Sequence, residues 1–329
     1  MFHNHSFKQM TITLVTAVTL GTAVTTSVVN ASYKPDYYSD FSTESLGQNQ
    51  YITSSTALSK LKNNARAAAA MDANSGKFVY SKNGSKKYAI ASTTKIMTLY
   101  LAIQKAKKLG QWNHRVKISN SLVKMSRNSA LGSFKMNSSS RYTVRSLYKA
   151  ALIASSNSAA IALGQYVAGS NAKFISMMNK QADAWDIGSQ AHFVSSSGLE
   201  NSDLYPYGFR VGSRGDYNKV SARALTIIAQ HLLKLYPSIV NDADHRYAKL
   251  YGQTIKNVNE LLPGGYSYHS NLNVDGLKTG YTPLAGYCLV STSTKGNHRL
   301  IVTTLHDNTG SKDQARMIAA IYKYSSLFQ

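Results

Sequence analysis

Apolar residues fall along this chain in blocks whose spacing changes with position. An apolar, Thr-rich run covers residues 10–29, and a polar, Tyr- and Ser-rich stretch without apolar periodicity follows over residues 32–56. Residues 67–72, a turn at Asn74-Ser75-Gly76 and residues 77–80 then predict a β-hairpin. A second hairpin is predicted from residues 287–294 and 299–306, joined by Lys295-Gly296-Asn297. Between the hairpins the apolar spacing is helical. Residues 94–107 carry Ile96, Met97, Leu99, Tyr100 and Ile103; Thr143 can cap a helix over 144–154; another begins at 158–167. Residues 221–235 form an amphipathic helix that Pro237 ends, and residues 312–328 place Met317, Ile318, Ile321 and Leu327 on or near one face. The fold class expected is α+β. An antiparallel sheet from both chain ends is flanked by helices, with a helical subdomain at roughly 105–255 inserted and a cleft at the junction.

The first block does not belong to that fold. Lys8 and flanking His residues precede the apolar run, and Val29-Asn30-Ala31 ends it with small residues, the pattern of a cleaved export signal over residues 1–31. The run is nearly long enough to span a bilayer, so an uncleaved anchor is the other reading. Either way the protein is expected to be exported, extracellular or held at the cell surface. Residues 32–57 read as a polar tether and residues 58–329 as one domain, with 43% apolar residues to fill a core.

Cysteine count and charge narrow the chemistry. A single cysteine, Cys288, rules out a disulfide framework, and its apolar setting marks a buried thiol. No Cys/His cluster has zinc-ligand spacing, so neither a metal nor a cofactor is expected. Net charge is +22, from 37 Lys and Arg against 15 Asp and Glu, and no acidic residue occurs between Asp72 and Asp183. Lys105, Lys107, Lys108, Arg115, Lys117, Lys124, Arg127, Lys135, Arg141, Arg145 and Lys149 lie in that window. Such a field attracts polyanions. No nucleic-acid fold pattern accompanies it, so anionic wall polymers are the partner expected and nucleic acid is not. The plainer reading is that the charge only keeps an exported protein soluble.

Candidate chemistry lies in three ordered motifs: Ser92-Thr93-Thr94-Lys95, Ser155-Ser156-Asn157 and Lys278-Thr279-Gly280. S-x-x-K, S-x-N and K-T-G in this order mark serine acyl-transfer sites. The first two patterns recur elsewhere, as at Ser121–Lys124 and Ser126–Asn128, whereas K-T-G occurs once. Context selects among the copies. Ser92 stands at a predicted helix start one turn before Lys95, where free N–H groups favour an oxyanion. A serine needs a base, and Lys95 can serve if burial and neighbouring cations lower its pKa. Taken alone, Ser92 and Lys95 read more simply as a helix cap and a solvated cation. Three polar residues at 155–157 interrupt two Ala-rich helices and need partners, though a plain helix–helix turn also fits. On an edge strand, Lys278 and Thr279 can grip a carboxylate while the backbone pairs with an extended peptide and Gly280 permits close approach.

Together with Ala91–Met97, Ile153–Asn157, Asn257-Val258-Asn259-Glu260-Leu261-Leu262 and Val274–Thr282, these motifs resemble the D-alanyl-D-alanine carboxypeptidases of the serine peptidase S11 family, low-molecular-mass penicillin-binding proteins. The resemblance covers roughly residues 58–328. It implies that Ser92 is the acylated nucleophile, Lys95 its base, and Ser155 and Asn157 the second motif. Lys278 and Thr279 would bind the substrate's terminal carboxylate, with Gly280 beside them. Backbone N–H groups of Ser92 and Tyr281 would form the oxyanion hole. The implied substrate is a peptidoglycan stem pentapeptide losing its last D-Ala, and β-lactams are the implied covalent inhibitors.

The chain departs from the family in places. Ser195 stands where F-x-N-x-x-G-L often has Asn, so that loop is expected to pack differently. The basic residue many members carry after the last hairpin has only Lys312 as a nearby candidate. Because the sequence ends at Gln329, neither a second β-domain nor a C-terminal anchor is expected. Fold and motifs do not separate hydrolysis from transpeptidation. A class A β-lactamase would need a Glu after Asn157 in an E-x-x-L-N-like segment, which is lacking. The remaining alternative is a basic wall-binding protein with a weak site.

Overall fold

In the computed structural model, residues 58, 60–139 and 141–328 are described. The expected export signal and tether lie outside the described residues.

Two chain ends build one antiparallel sheet. Its strands are β1 (Ala67–Asp72), β2 (Phe78–Lys82), β3 (Val274–Thr282), β4 (Gly286–Lys295) and β5 (His298–Asp307), in the order β3-β4-β5-β1-β2. Both expected hairpins form, and β5 pairs with β1 to join the two chain ends. The period-2 alternation of a strand separates two cores. Ala67, Ala69 and Met71 of β1 enter one apolar cluster, whereas Ala68 and Ala70 enter the other. An Ala run has helical propensity, yet here it forms a central strand, because small side chains let helices lie close on both faces.

The helices are α1 (Lys95–Leu109), α2 (Asn120–Ser126), α3 (Val144–Leu152), α4 (Asn157–Ala168), α5 (Asn171–Ala184), α6 (Ala222–Leu235) and α7 (Ser311–Tyr324), besides single turns. On one face of the sheet α7 packs through Met317, Ile318 and Ile321. On the other, α6 ties itself to the sheet by buried hydrogen bonds as well as apolar contact. Thr226 Oγ1 lies 2.7 Å from Thr303 Oγ1, and Gln230 Nε2 donates to the Ala73 carbonyl at 2.7 Å. Helix α1 is buried on almost every side and ends at Gly110, whose left-handed backbone (φ 64°) closes bonds to Ala106 and Lys107.

Several element ends differ from expectation, three of them at or near the site or the chain's end. The C-terminal helix stops at Tyr324, because Ser325 leaves helical geometry and Ser326–Phe328 forms a 3₁₀ turn; Leu327 is therefore off the helix. The helix after Thr143 ends at Leu152. Helix α1 begins at Lys95, preceded by a 3₁₀ turn at Ala91–Thr94.

The basic window is also less bare than its sequence implies. Lys149 pairs with Asp242 at 3.0 Å, a counter-charge from a distant segment. Lys105 donates to the carbonyls of Tyr166 and Val167, and Lys107 to that of Leu235. Lys117, Lys124 and Lys135 are exposed.

Candidate active site

Ser92 sits in the 3₁₀ turn rather than in α1 itself. A 3₁₀ turn has three residues per turn, so it eclipses Ser92 over Lys95 more closely than an α-helix would. The turn is set by Ala91, which adopts a left-handed backbone (φ 44°) at a cost of about 1 kcal/mol for a residue with a Cβ. Thr93 braces it by donating from Oγ1 to the Ile90 carbonyl at 2.5 Å.

Lys95 is wholly buried and has three neighbours at hydrogen-bond distance. Its Nζ lies 2.8 Å from Ser92 Oγ, 2.8 Å from Asn157 Oδ1 and 2.7 Å from the Ser197 carbonyl. Asn157 is oriented by its other end, since Nδ2 donates to the Leu131 carbonyl at 2.9 Å and leaves only oxygen facing Lys95. Burial first, and the charge of Lys278 second, hold the Lys95 pKa well below the ordinary lysine value of 10.5. In its neutral form, which the lowered pKa favours, the amine has two N–H groups and one lone pair. Asn157 Oδ1 and the Ser197 carbonyl can only accept, so both N–H groups go to them. The lone pair is left for Ser92, whose O–H donates to it. That is the proton arrangement a serine nucleophile requires.

The second motif follows from local geometry. Ser156 caps α4, accepting from the Ala159 N–H, and so places Asn157 in the helix's first turn. Ser155, immediately before it, is left-handed (φ 57°) and half-buried, and lines a 430 Å³ cleft with Ser92. One strained residue, Ala91, thus precedes the first motif and another, Ser155, opens the second, as is common where side chains are aimed at a substrate.

Strand β3 closes the cleft. It is an edge strand, as expected, and pairs with β4 alone in the sheet. A Cβ on Gly280 would lie 2.9 Å from the Thr93 nitrogen and 3.0 Å from both the Ser92 nitrogen and the Ile90 carbonyl. Only glycine lets the strand run this close to the Ser92 turn. Thr279, Gly280 and Tyr281 line the cleft. Lys278 is buried beneath it, donating to the Thr279 carbonyl at 2.9 Å, with its pKa lowered by burial to about 7. The structure therefore brings all eight sequence-chosen residues to one place, with Ser92, Lys95 and Asn157 in direct hydrogen-bond contact.

Two contributors were missed by motif reading. One is the Ser197 carbonyl on Lys95; the other is Asn218. Asn218 Oδ1 accepts from the N–H groups of Val194 and Ser195, while its Nδ2 donates to Thr94 Oγ1 and the Ser195 carbonyl. Ser195 takes the place expected for Asn, its Oγ accepting from the N–H groups of Ser197 and Gly198. A backbone carbonyl leaves no side-chain signature, but the run Ser195-Ser196-Ser197-Gly198 was a visible polar cluster in an apolar setting. Cys288 is buried against backbone carbonyls, its thiol pushed up to about 12 by burial, which leaves it un-ionised and inert. Lys312 lies 5.9 Å from the centroid of the Tyr266 ring, in a neighbouring groove rather than in the Ser92 cleft. Among the described residues no group of three His, Cys, Asp or Glu could hold a metal ion, and no helix is long and apolar enough to cross a membrane.

Residues 53–309 match the peptidase family described as D-alanyl-D-alanine carboxypeptidase. The chain is 30% identical over 270 residues to the D-alanyl-D-alanine carboxypeptidase DacF of Bacillus subtilis, covering 79% of this chain and 61% of DacF. It spans less than two thirds of the length of the curated relatives it matches first. Among solved structures, the peptidoglycan synthesis regulatory factor (PBP3) of Streptococcus pneumoniae is 32% identical, with a TM-score of 0.72 over 79% of this chain and 73% of that one. Penicillin-binding protein D2 of Listeria monocytogenes, solved in an ampicillin-bound form, is 27% identical, with a TM-score of 0.64 over 79% and 98%.

Proposed function

The chain belongs to the D-alanyl-D-alanine carboxypeptidase family, and from that premise we propose that it is a serine DD-carboxypeptidase removing the terminal D-Ala from peptidoglycan stem pentapeptides. One observation carries the reading: Lys95 Nζ, wholly buried and with its pKa held well below the ordinary lysine value, lies 2.8 Å from Ser92 Oγ while Asn157 Oδ1 and the Ser197 carbonyl, which can only accept, occupy its other two contacts. Ser92 Oγ attacks the carbonyl carbon of the penultimate D-Ala, and its proton passes to Lys95. The oxyanion is held by the backbone N–H groups of Ser92 and Tyr281. As the C–N bond breaks, Ser155 relays a proton to the departing D-Ala amine. Water then cleaves the acyl–Oγ bond and frees Ser92. Lys278 and Thr279 hold the terminal carboxylate beside the strand edge. β-Lactams would stop at the acyl-enzyme stage; the similar penicillin-binding protein D2 of Listeria monocytogenes has been solved in an ampicillin-bound form.

Export follows from the same reading, because the substrate lies in the cell envelope; residues 1–31 would supply the signal. The exposed part of the basic window would hold the enzyme on anionic wall polymer. A class A β-lactamase mechanism is disfavoured, since Glu260, the carboxylate lining the cleft, is engaged by Arg246 at 3.0 Å.

Two measurements test the reading together. Incubation with a D-Ala-D-Ala pentapeptide should release free D-Ala, and intact mass after benzylpenicillin should show one adduct that peptide mapping places on Ser92. An adduct elsewhere, or none with several β-lactams, removes the mechanism.

A further inference from the structure

Beyond Ser92 the cleft continues as a groove walled by aromatic rings and one carboxylate. Tyr281 and Tyr287 are cross-strand partners on β3 and β4, half-exposed, with ring centroids 4.8 Å apart. Tyr266, 65% exposed, and Glu260 stand on the same groove. No Lys, Arg or His is among the described residues lining it. The cations nearby are turned to other tasks: Arg246 holds Glu260 without lining the groove, and Lys312 lines the neighbouring one.

Glu260 keeps capacity to accept. Arg246 Nη2 donates to Oε1 at 3.1 Å and to Oε2 at 3.0 Å, and the Tyr266 N–H donates to Oε2 at 3.2 Å. Three of about four lone-pair sites on a carboxylate are used, so one remains. Tyrosine faces are electronegative and attract ammonium groups. The remaining lone pair of Glu260 and the faces of Tyr281 and Tyr287 therefore favour a cation and disfavour a second carboxylate, whereas the Tyr266 ring already has the Lys312 ammonium 5.9 Å from its centroid.

Resting on the carboxypeptidase reading, we propose that this groove selects donor peptides whose side chain next to D-Ala-D-Ala carries a free ammonium group. Glu260 and the Tyr281 and Tyr287 rings are its recognition elements.

The test compares kcat/KM for D-Ala release from three Nα-acetyl-X-D-Ala-D-Ala peptides, where X is lysine, Nε-dimethyllysine or Nε-acetyllysine. Dimethylation keeps the charge while adding bulk similar to acetylation. Both charged peptides should exceed the acetylated one by about fivefold or more, the scale of a partly exposed cation–π and carboxylate contact. In Glu260→Gln, which preserves shape and can still accept from Arg246, the gap should shrink to within about twofold. Tyr287→Leu should shrink it partly, providing a second variant on a different element, strand β4. Equal rates for all three peptides overturn the proposal while leaving hydrolysis intact. So does a dimethylated peptide that behaves like the acetylated one, since bulk would then be what matters, or an undiminished gap in Glu260→Gln. No D-Ala from any peptide overturns the hydrolytic reading, and this inference with it.

Discussion

Lys95 and Lys278 are two buried amines with opposite tasks, which makes the pH profile the sharpest residue-level test. Lys95 must be neutral to accept the Ser92 proton, so the free enzyme gains activity as pH rises through its depressed pKa. Lys278 must be charged to hold a carboxylate, and its pKa of about 7 means that this charge is lost as pH rises further. The predicted kcat/KM profile is a bell whose falling limb lies near neutrality, belonging to the coupled pair rather than to either lysine alone. A peptide with its terminal carboxylate amidated should be slower at pH 6 and lack the falling limb. If acid and amide peptides trace the same curve, Lys278 does not read the carboxylate. Lys95→Ala should cut acylation about 10²-fold or more, since a general base is lost. At this scale much was legible: S-x-x-K, S-x-N and K-T-G carry side-chain identity. The Ser197 carbonyl was not, because any residue supplies a carbonyl and only the loop's path brings this one to Lys95.

Among elements, the hairpins were legible because turn residues separate β-rich runs, and Thr143 announced the helix it caps, whereas Ser221, read as the first residue of its helix, is that helix's cap. The 3₁₀ turn at Ser92 was not. It depends on the left-handed Ala91, a conformation imposed by what packs against it rather than by Ala. The loop carrying Ser197 is one such neighbour. Gly198 has φ 89°, and a Cβ there would sit 1.9 Å from the Ala91 carbonyl oxygen, a backbone atom with no rotamer to escape into. Gly198→Ala should therefore push the loop off the nucleophile turn, costing at least about 2 kcal/mol of stability from clash and backbone strain. Because the same shift withdraws the Ser197 carbonyl from Lys95, penicillin acylation should slow in the folded variant. Thermal unfolding and labelling rate, measured on one preparation, check both halves. Wild-type labelling in a destabilised Gly198→Ala would show that Lys95 does not need that acceptor.

At the level of the whole molecule, the +22 net charge and the acid-free window from Asp72 to Asp183 were plain in the sequence, but their distribution in space was not. Sequence distance hid the pairing of Lys149 with Asp242, and nothing in the Lys/Arg pattern showed that Lys105 and Lys107 are spent on backbone carbonyls. Reversing charge at those positions would damage packing as well as the surface field. The exposed Lys117, Lys124 and Lys135 isolate the field itself. If that surface holds the protein on anionic wall polymer, retention on isolated cell walls should fall steeply with salt, since exposed charges are screened over about 8 Å at physiological ionic strength. A triple Lys→Glu variant at these positions should be retained less than wild type at low salt, while its penicillin labelling stays unchanged, because none of the three lines the Ser92 cleft. Walls stripped of anionic polymer should retain wild type and variant alike. Salt-insensitive retention, or wild-type retention undiminished on stripped walls, would assign the charge to solubility alone and leave the site's chemistry where Lys95 and Ser92 put it.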